Sequence, residues 1–136
     1  MPTQPISAHP FALLVALAVL TAPVASAATA ADALAGYRAA AGGTASADRG
    51  QQLFVAKHGR EWSCASCHGA KPTQTGQHAG TGKPIAPLAP AFNAERFADA
   101  TKTEKWFRRN CNDVIGRECS AAEKADVLAW LMTLKP

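Results

Sequence analysis

A chain of 136 residues has room for one domain and none for a second. Its 14 Lys and Arg against 10 Asp and Glu leave a formal charge of +4. The cations form no polybasic block and do not interleave with aromatics, which excludes a nucleic-acid surface; a mild positive charge suits docking to an acidic protein partner.

Residues 1–27 carry no Lys, Arg, Asp or Glu, and within them Phe11 to Leu20 is an apolar run of ten. The run breaks at Thr21-Ala22-Pro23 and ends in Val24-Ala25-Ser26-Ala27. Ten apolar residues are too few to span a bilayer, and a small-x-small ending is what a signal peptidase cuts. The expectation is a signal peptide over 1–27, cleaved near Ala27, with export of residues 28–136 to the periplasm. An uncleaved anchor and a buried apolar helix are the competing readings, since the only cationic groups before the run are the terminal amine and His9.

Asp32 to Ala41 is Ala-rich, with Leu34 and Tyr37 three apart, and reads as a short helix ended by Gly42-Gly43. Ser46 or Asp48 can cap a second helix holding Gly50, Leu53 and Phe54. Residues 70–92, with Pro84, Pro87 and Pro90, form a long irregular loop of the kind that usually encloses something. Thr101-x-x-Glu104 predicts a capping box opening a helix through Trp106 and Phe107 that ends near Asn112 to Gly116. A second box, Ser120-x-x-Glu123, opens a last helix to Leu134, with Val127, Leu131 and Leu134 on one stripe. No strand-like alternation occurs, so the fold class is all-α: three or four short helices around one long loop. Few bulky apolar residues are available, and a cofactor in the middle would supply missing core volume.

Four cysteines lie in two close pairs, Cys64/Cys67 and Cys111/Cys119. Cys64-Ala65-Ser66-Cys67-His68 is the Cys-x-x-Cys-His attachment motif for c-type haem. Two thiols three apart on a helical turn can add to the two vinyl groups, and the adjacent imidazole then reaches the iron. A thioredoxin-like pair would want a βαβ context, which is missing. A zinc site would want a second pair at ligand spacing, and seven residues between Cys111 and Cys119 fit that poorly. One motif means one haem.

For the second axial position several residues compete. The loop 70–100 has no Met, and Met132 lies among leucines of the last helix, where Met is more often packing. His58 precedes the motif by six residues; His78 sits in the loop amid Gly, Gln and Thr, where histidines are more often exposed. In the helix after Thr101, Asn110 shares a face with Trp106, Phe107 and Val114, while Asn112 points elsewhere. An amide on an apolar face needs a partner: a backbone carbonyl or helix cap on one reading, the iron or its ligand on the other.

Beyond the motif, residues 32–135 resemble the SHP-type (sphaeroides haem protein) cytochromes c, within the class I cytochrome c superfamily. The shared pattern runs Leu34-Ala35-Gly36-Tyr37, Arg49-Gly50, Cys64-x-x-Cys67-His68-Gly69, Thr81-Gly82-Lys83-x-Ile85-Ala86-Pro87-Leu88-Ala89-Pro90, Arg96-Phe97 and Glu104-Lys105-Trp106. It continues through Arg109-Asn110-Cys111-Asn112-x-Val114-Ile115-Gly116-Arg117-x-Cys119 and Glu123-Lys124-Ala125-Asp126-x-Leu128-Ala129-Trp130-Leu131. The resemblance implies a class I cytochrome c-like fold and His68 below the iron. It implies Asn110 as a ferric-state ligand that leaves on reduction, opening the site to O2, NO or similar small ligands. It also implies a Cys111–Cys119 disulfide, and a dihaem cytochrome c and a membrane cytochrome b as redox partners. An amide oxygen is a hard, weak donor that suits ferric iron better than ferrous, in keeping with that behaviour.

Three functions are therefore in play. The first is a ligand-binding cytochrome c with a displaceable Asn110. The second is a plain electron carrier with Met132 or His78 fixed on the iron. The third is an oxygen- or NO-reactive haem oxidoreductase, for which no His, Arg or acid is placed by sequence as a catalyst. Lys83 and Arg96 are the candidates for the haem propionates.

Overall fold

Helix starts in this protein are set by side chains that accept a backbone N–H the helix itself leaves free. The computed structural model describes Met1 and residues 28–136, so the expected signal peptide and its cleavage point lie outside the described residues. Thr29 opens α1 (Ala30–Ala41) with a reciprocal capping box: Thr29 N–H donates to Asp32 Oδ2 (2.8 Å) and Asp32 N–H to Thr29 Oγ1 (3.3 Å). Gly42, at φ 65°, ends it in the left-handed conformation that suits glycine. Ser46 caps α2 (Ala47–Val55) by accepting from Arg49 N–H, and the motif forms the five-residue α3 (Cys64–His68). Then come β1 (Gly76–Gln77) and β2 (Pro84–Ile85), a two-residue antiparallel pair with Gly76 opposite Ile85 and Gln77 opposite Pro84. They are the only departure from all-α structure among the described residues. The last two elements are α4 (Ala100–Val114) and α5 (Ala121–Leu131).

Among the described residues five helices stand where three or four were expected, because the motif forms a short helix of its own. Helix α1 starts before Asp32, and two boundary details also differ. Asp99, not Thr101, caps α4, its Oδ1 accepting from Lys102 N–H at 2.8 Å. Glu104 is drawn away by partners on other helices, described below, so the Thr101 box does not form. The final helix stops at Leu131 rather than Leu134, with Met132 as its C-cap; the Ser120–Glu123 box forms as read.

The frame is a close crossing of α2 and α5, with α1 laid against α5. Gly50 makes that crossing possible: a Cβ there would run into the Asp126 carbonyl and the Val127 nitrogen. Around it Phe54, Val127, Trp130 and Leu131 form the buried core, with Phe54 and Trp130 rings 4.9 Å apart. Full burial of such a side chain contributes roughly 1.5–3 kcal/mol. Next to Gly50, Arg49 donates from Nε and Nη2 to the two carboxylate oxygens of the buried Asp126 (2.7 and 2.9 Å), and Ser46 N–H adds a third bond at 2.6 Å. This bidentate pair, 77 residues apart in sequence, satisfies a carboxylate that burial would otherwise penalise. By contrast α4 stands off the frame and reaches it through side chains.

Candidate functional site

The short α3 presents Cys64, Cys67 and His68 from one turn and a half of helix. Ser63 N–H donates to Ser66 Oγ at 3.0 Å, closing the helix start, while Ala65 and Cys64 pack on the core. Both thiols are free and half-buried. Burial pushes the Cys64 thiol up to about 11, so it stays protonated at neutral pH. His68 lies with its ring 6.2 Å from Phe54. Burial, and then the charges of Arg96 and His78, push it down to about 4, so the imidazole is neutral and has a lone pair to offer.

The following loop is fastened to this turn. Gly76 passes over the end of α3 so closely that a Cβ would strike the Cys67 carbonyl. Ala79 N–H donates to Cys67 Sγ at 3.3 Å, and Leu88 and Ala89 N–H both donate to the carbonyl of buried Pro72 (3.1 Å each). A cavity of about 430 Å³ opens between loop and helix, lined by Ser66, Cys67, His68, Gln77 and His78 among others. His78 thus shares the cavity of His68, and its Nδ1 already accepts from the N–H groups of Gly80 and Thr81 (3.2 Å each). His58 is tied to the end of α2, its Nε2 2.9 Å from the Leu53 carbonyl. Met132 is half-buried at the C-cap of α5.

Arg96 crosses the loop, donating from Nε to the Pro87 carbonyl (2.9 Å) and from Nη2 to the Ala86 carbonyl (2.8 Å). It is half-buried, and no carboxylate pairs with it among the described residues. Its neighbour Phe97 holds a φ of 66°, a strained conformation for a bulky residue, and stacks on Phe107 of α4 at 6.3 Å. Lys83 is exposed; only its backbone carbonyl takes part here, accepting from His78 N–H.

On α4 the inward residues are Thr103, Phe107, Cys111 and Val114, with Asn110 half-buried on their flank. Trp106, expected on the same apolar face, is 41% exposed beside Asn110, with the Arg109 guanidinium 5.6 Å from its ring centre. The two asparagines differ as the helix geometry requires. Asn112 is exposed and donates from Nδ2 to the Arg108 carbonyl (2.7 Å); the Asn110 carboxamide makes no hydrogen bond within the protein among the described residues. Immediately after it, Cys111 is joined to Cys119 in a disulfide.

These residues fit a c-type haem. Two thiols and a neutral imidazole stand together on the short helix α3. Leu53, Leu88, Phe97, Phe107 and Leu134 pack on the same core as Cys64 and remain partly uncovered, and Arg96 has no carboxylate partner among the described residues.

Comparison with known proteins agrees. Residues 40–131 match the profile of a family described as a domain of unknown function (DUF1924). Over 123 residues the chain is 50% identical to the cytochrome c-type protein SHP of Cereibacter sphaeroides, covering 87% of this chain and 95% of that one. The chain belongs to the SHP-type cytochrome c family. The solved structure of oxidised SHP, described as an oxygen-binding cytochrome c, superposes with a TM-score of 0.74 at 50% identity, over 80% of this chain and all of that one. Cytochrome c'' of Methylophilus methylotrophus is 46% identical over 80 residues, 59% of this chain and 56% of that one. Its oxidised crystal structure matches with a TM-score of 0.72 at 37% identity, over 79% and 95% of the two chains. As an SHP-type cytochrome the chain is a small helical haem protein, and its cofactor is of the c type.

Reading the sequence placed Cys64, Cys67 and His68 on one helical turn, and the family resemblance gave the Cys111–Cys119 disulfide; both are present. It did not find Phe54 beside His68, the Arg49–Asp126 pair, or the role of Glu104. The signal for those is a contact between distant segments, which no spacing rule reveals.

Proposed function

We propose that the protein is an exported, periplasmic cytochrome with a single haem held covalently through Cys64 and Cys67. His68 is the fixed axial ligand and Asn110 the displaceable one. In the reduced state a small ligand such as O2 or NO takes the place of Asn110, and electrons are exchanged with redox proteins such as a dihaem cytochrome c or a membrane cytochrome b. When bound, the haem supplies a redox-active iron whose second axial position depends on a weak donor.

The observation that carries this reading is the contrast between the two asparagines: Asn112 is bonded into its own helix and Asn110 is not. The neutral imidazole of His68, the haem-ligand detachment studied in the solution structure of cytochrome c'' and the oxygen binding of SHP support it. A carboxamide is a hard, neutral donor, so it holds ferric iron better than ferrous and yields on reduction. For a propionate the proposed partner is Arg96, whose guanidinium has no carboxylate partner among the described residues.

The test is the optical spectrum of the reduced holoprotein under argon and then with carbon monoxide. High-spin ferrous iron that binds the gas is expected; a low-spin spectrum indifferent to it sends the second position to Met132 or His78 and overturns the proposal. Asn110→Ala is expected to change the ferric spectrum.

A further inference from the structure

Besides the packing of Phe107 on the core, helix α4 has one covalent and one polar tether, and Asn110 lies between them in sequence. One is the disulfide at Cys111. The other is a cluster where α1, α4 and α5 meet. Tyr37 of α1 donates its hydroxyl to Glu104 Oε1 at 2.6 Å, and Lys124 of α5 donates from Nζ to Glu104 Oε2 at 2.7 Å. The ammonium is wedged between two rings, 5.5 Å from the centre of Tyr37 and 5.9 Å from that of Phe107, which also meet edge to face at 5.7 Å. Only 12% of the Lys124 side chain is exposed against 50% of Glu104, so the pair is anchored on its lysine side and open to solvent on the other.

We propose that Tyr37, Glu104 and Lys124 are positioning residues for Asn110: they fix the tilt of α4 about its disulfide end and so set how readily the carboxamide gives way. This inference rests on Asn110 being the displaceable ligand. Glu104 precedes Asn110 by six residues, about 9 Å along the axis, with Phe107 packed between. Among the described residues no helix or strand packs its backbone extensively on α4, so a weakened cluster lets the helix pivot where a short, directional contact must be made. The protonation states hold the arrangement at neutral pH. Burial, followed by the Glu104 bond and charge, raises the Tyr37 phenol far above its ordinary range. Glu104 is raised by burial, but the bonds from Lys124 and Tyr37 and the charges of Lys124 and Arg108 outweigh that and keep it low and ionised.

The experiment compares Lys124→Met and Tyr37→Phe with the parent holoprotein, each also in an Asn110→Ala background. Azide affinity of the ferric form is the main reading, with reduction potential, ferrous carbon monoxide affinity and Tm beside it. A looser α4 weakens the ferric carboxamide bond, so azide is expected to bind roughly threefold to thirtyfold tighter in Lys124→Met. A smaller gain is expected in Tyr37→Phe, which keeps its shape and loses one hydrogen bond. The potential rises in both, and carbon monoxide affinity stays put because the carboxamide has already left. In the Asn110→Ala background the substitutions add nothing. If Tm falls in both variants while azide affinity does not move, the cluster is merely structural and the inference is overturned. It is equally overturned if the azide gain survives removal of Asn110. If Asn110→Ala itself leaves the ferric spectrum unchanged, the parent reading fails together with this one.

Discussion

The two sides of this molecule are built to different tolerances. On one side α2 crosses α5 with backbone against backbone, Gly50 under the Asp126 carbonyl, and a buried carboxylate answered by three donors. On the other side α4 stands away and is held through side chains, by a disulfide, a carboxylate cluster and the packing of Phe107 on the core, with an amide that is unbonded among the described residues near them. Backbone-on-backbone packing has a single solution and does not yield. Side-chain tethers at the two ends of a helix leave it a small, graded freedom. The proposed function, in which His68 stays on the iron and Asn110 leaves it, draws on both kinds of construction.

The sharpest way to break that comparison is to add one methyl group to the frame. Gly50→Ala is expected to destabilise the protein by about 3 kcal/mol or more, read as a fall in denaturant midpoint, because the overlap is with backbone that cannot move aside. Gly36→Ala, in a helix where a Cβ meets nothing within 4 Å, is expected to stabilise by roughly 0.5–1 kcal/mol. If both substitutions cost the same, the close crossing of α2 and α5 is wrong.

Next in size is the tether on the other side. Removing the bridge as the double variant Cys111→Ala, Cys119→Ala opens a loop of nine residues and is expected to cost about 2.5 kcal/mol on the chain-entropy account. The comparison is sharpened by what else changes. On the proposed Asn110 ligation, loss of the bridge frees the C-terminal end of α4, so the ferric high-spin fraction is expected to rise along with the drop in stability. Gly50→Ala lowers stability without that spectral change at temperatures where the protein is folded. A bridge variant with an unaltered ferric spectrum would show that α4 is held elsewhere.

Which parts could be read in the sequence follows the same division. Local structure was legible: the shared turn of Cys64, Cys67 and His68 by spacing, Ser46 and the Ser120–Glu123 box as helix starts, and the separation of Asn110 from Asn112 by helical angle. The Cys111–Cys119 pairing came through family resemblance, and it is present. Failures occurred where a distant residue outbid a near one. Glu104 has the spacing to close a box with Thr101, yet a phenol 67 residues away and an ammonium 20 residues away hold its carboxylate, and Asp99 takes over the cap. Trp106 sits at the margin of the face on which periodicity put it, because the apolar stripe of α4 centres on Phe107. The helix of Thr29 began earlier than read, since its box lies just past the expected cleavage point, where no apolar periodicity has yet started.

The smallest expected effect concerns the turn that carries the disulfide into α5, and it is a matter of pH. Arg117 donates from Nη1 and Nη2 to the two oxygens of Glu123 (2.8 and 2.7 Å), and Ser120 N–H donates to the same carboxylate at 2.8 Å. These bonds, led by that from Arg117 and opposed by burial, draw Glu123 from 4.5 down to about 2. A carboxylate depressed by folding is protonated first in the unfolded chain as pH falls. Its stabilisation is therefore full above pH 4.5, is lost progressively toward pH 2, and is gone below it. Glu123→Gln removes the titration while leaving an amide at the cap. Curves of Tm against pH for the two proteins are expected to lie apart above pH 4.5 and to converge near pH 2, by a modest margin that added salt narrows, because Arg117 is largely exposed. A gap that persists undiminished at pH 2 would mean that the residue works through the shape of its cap and not through its charge. The turn would then be held by the disulfide and the Ser120 cap without help from the ion pair.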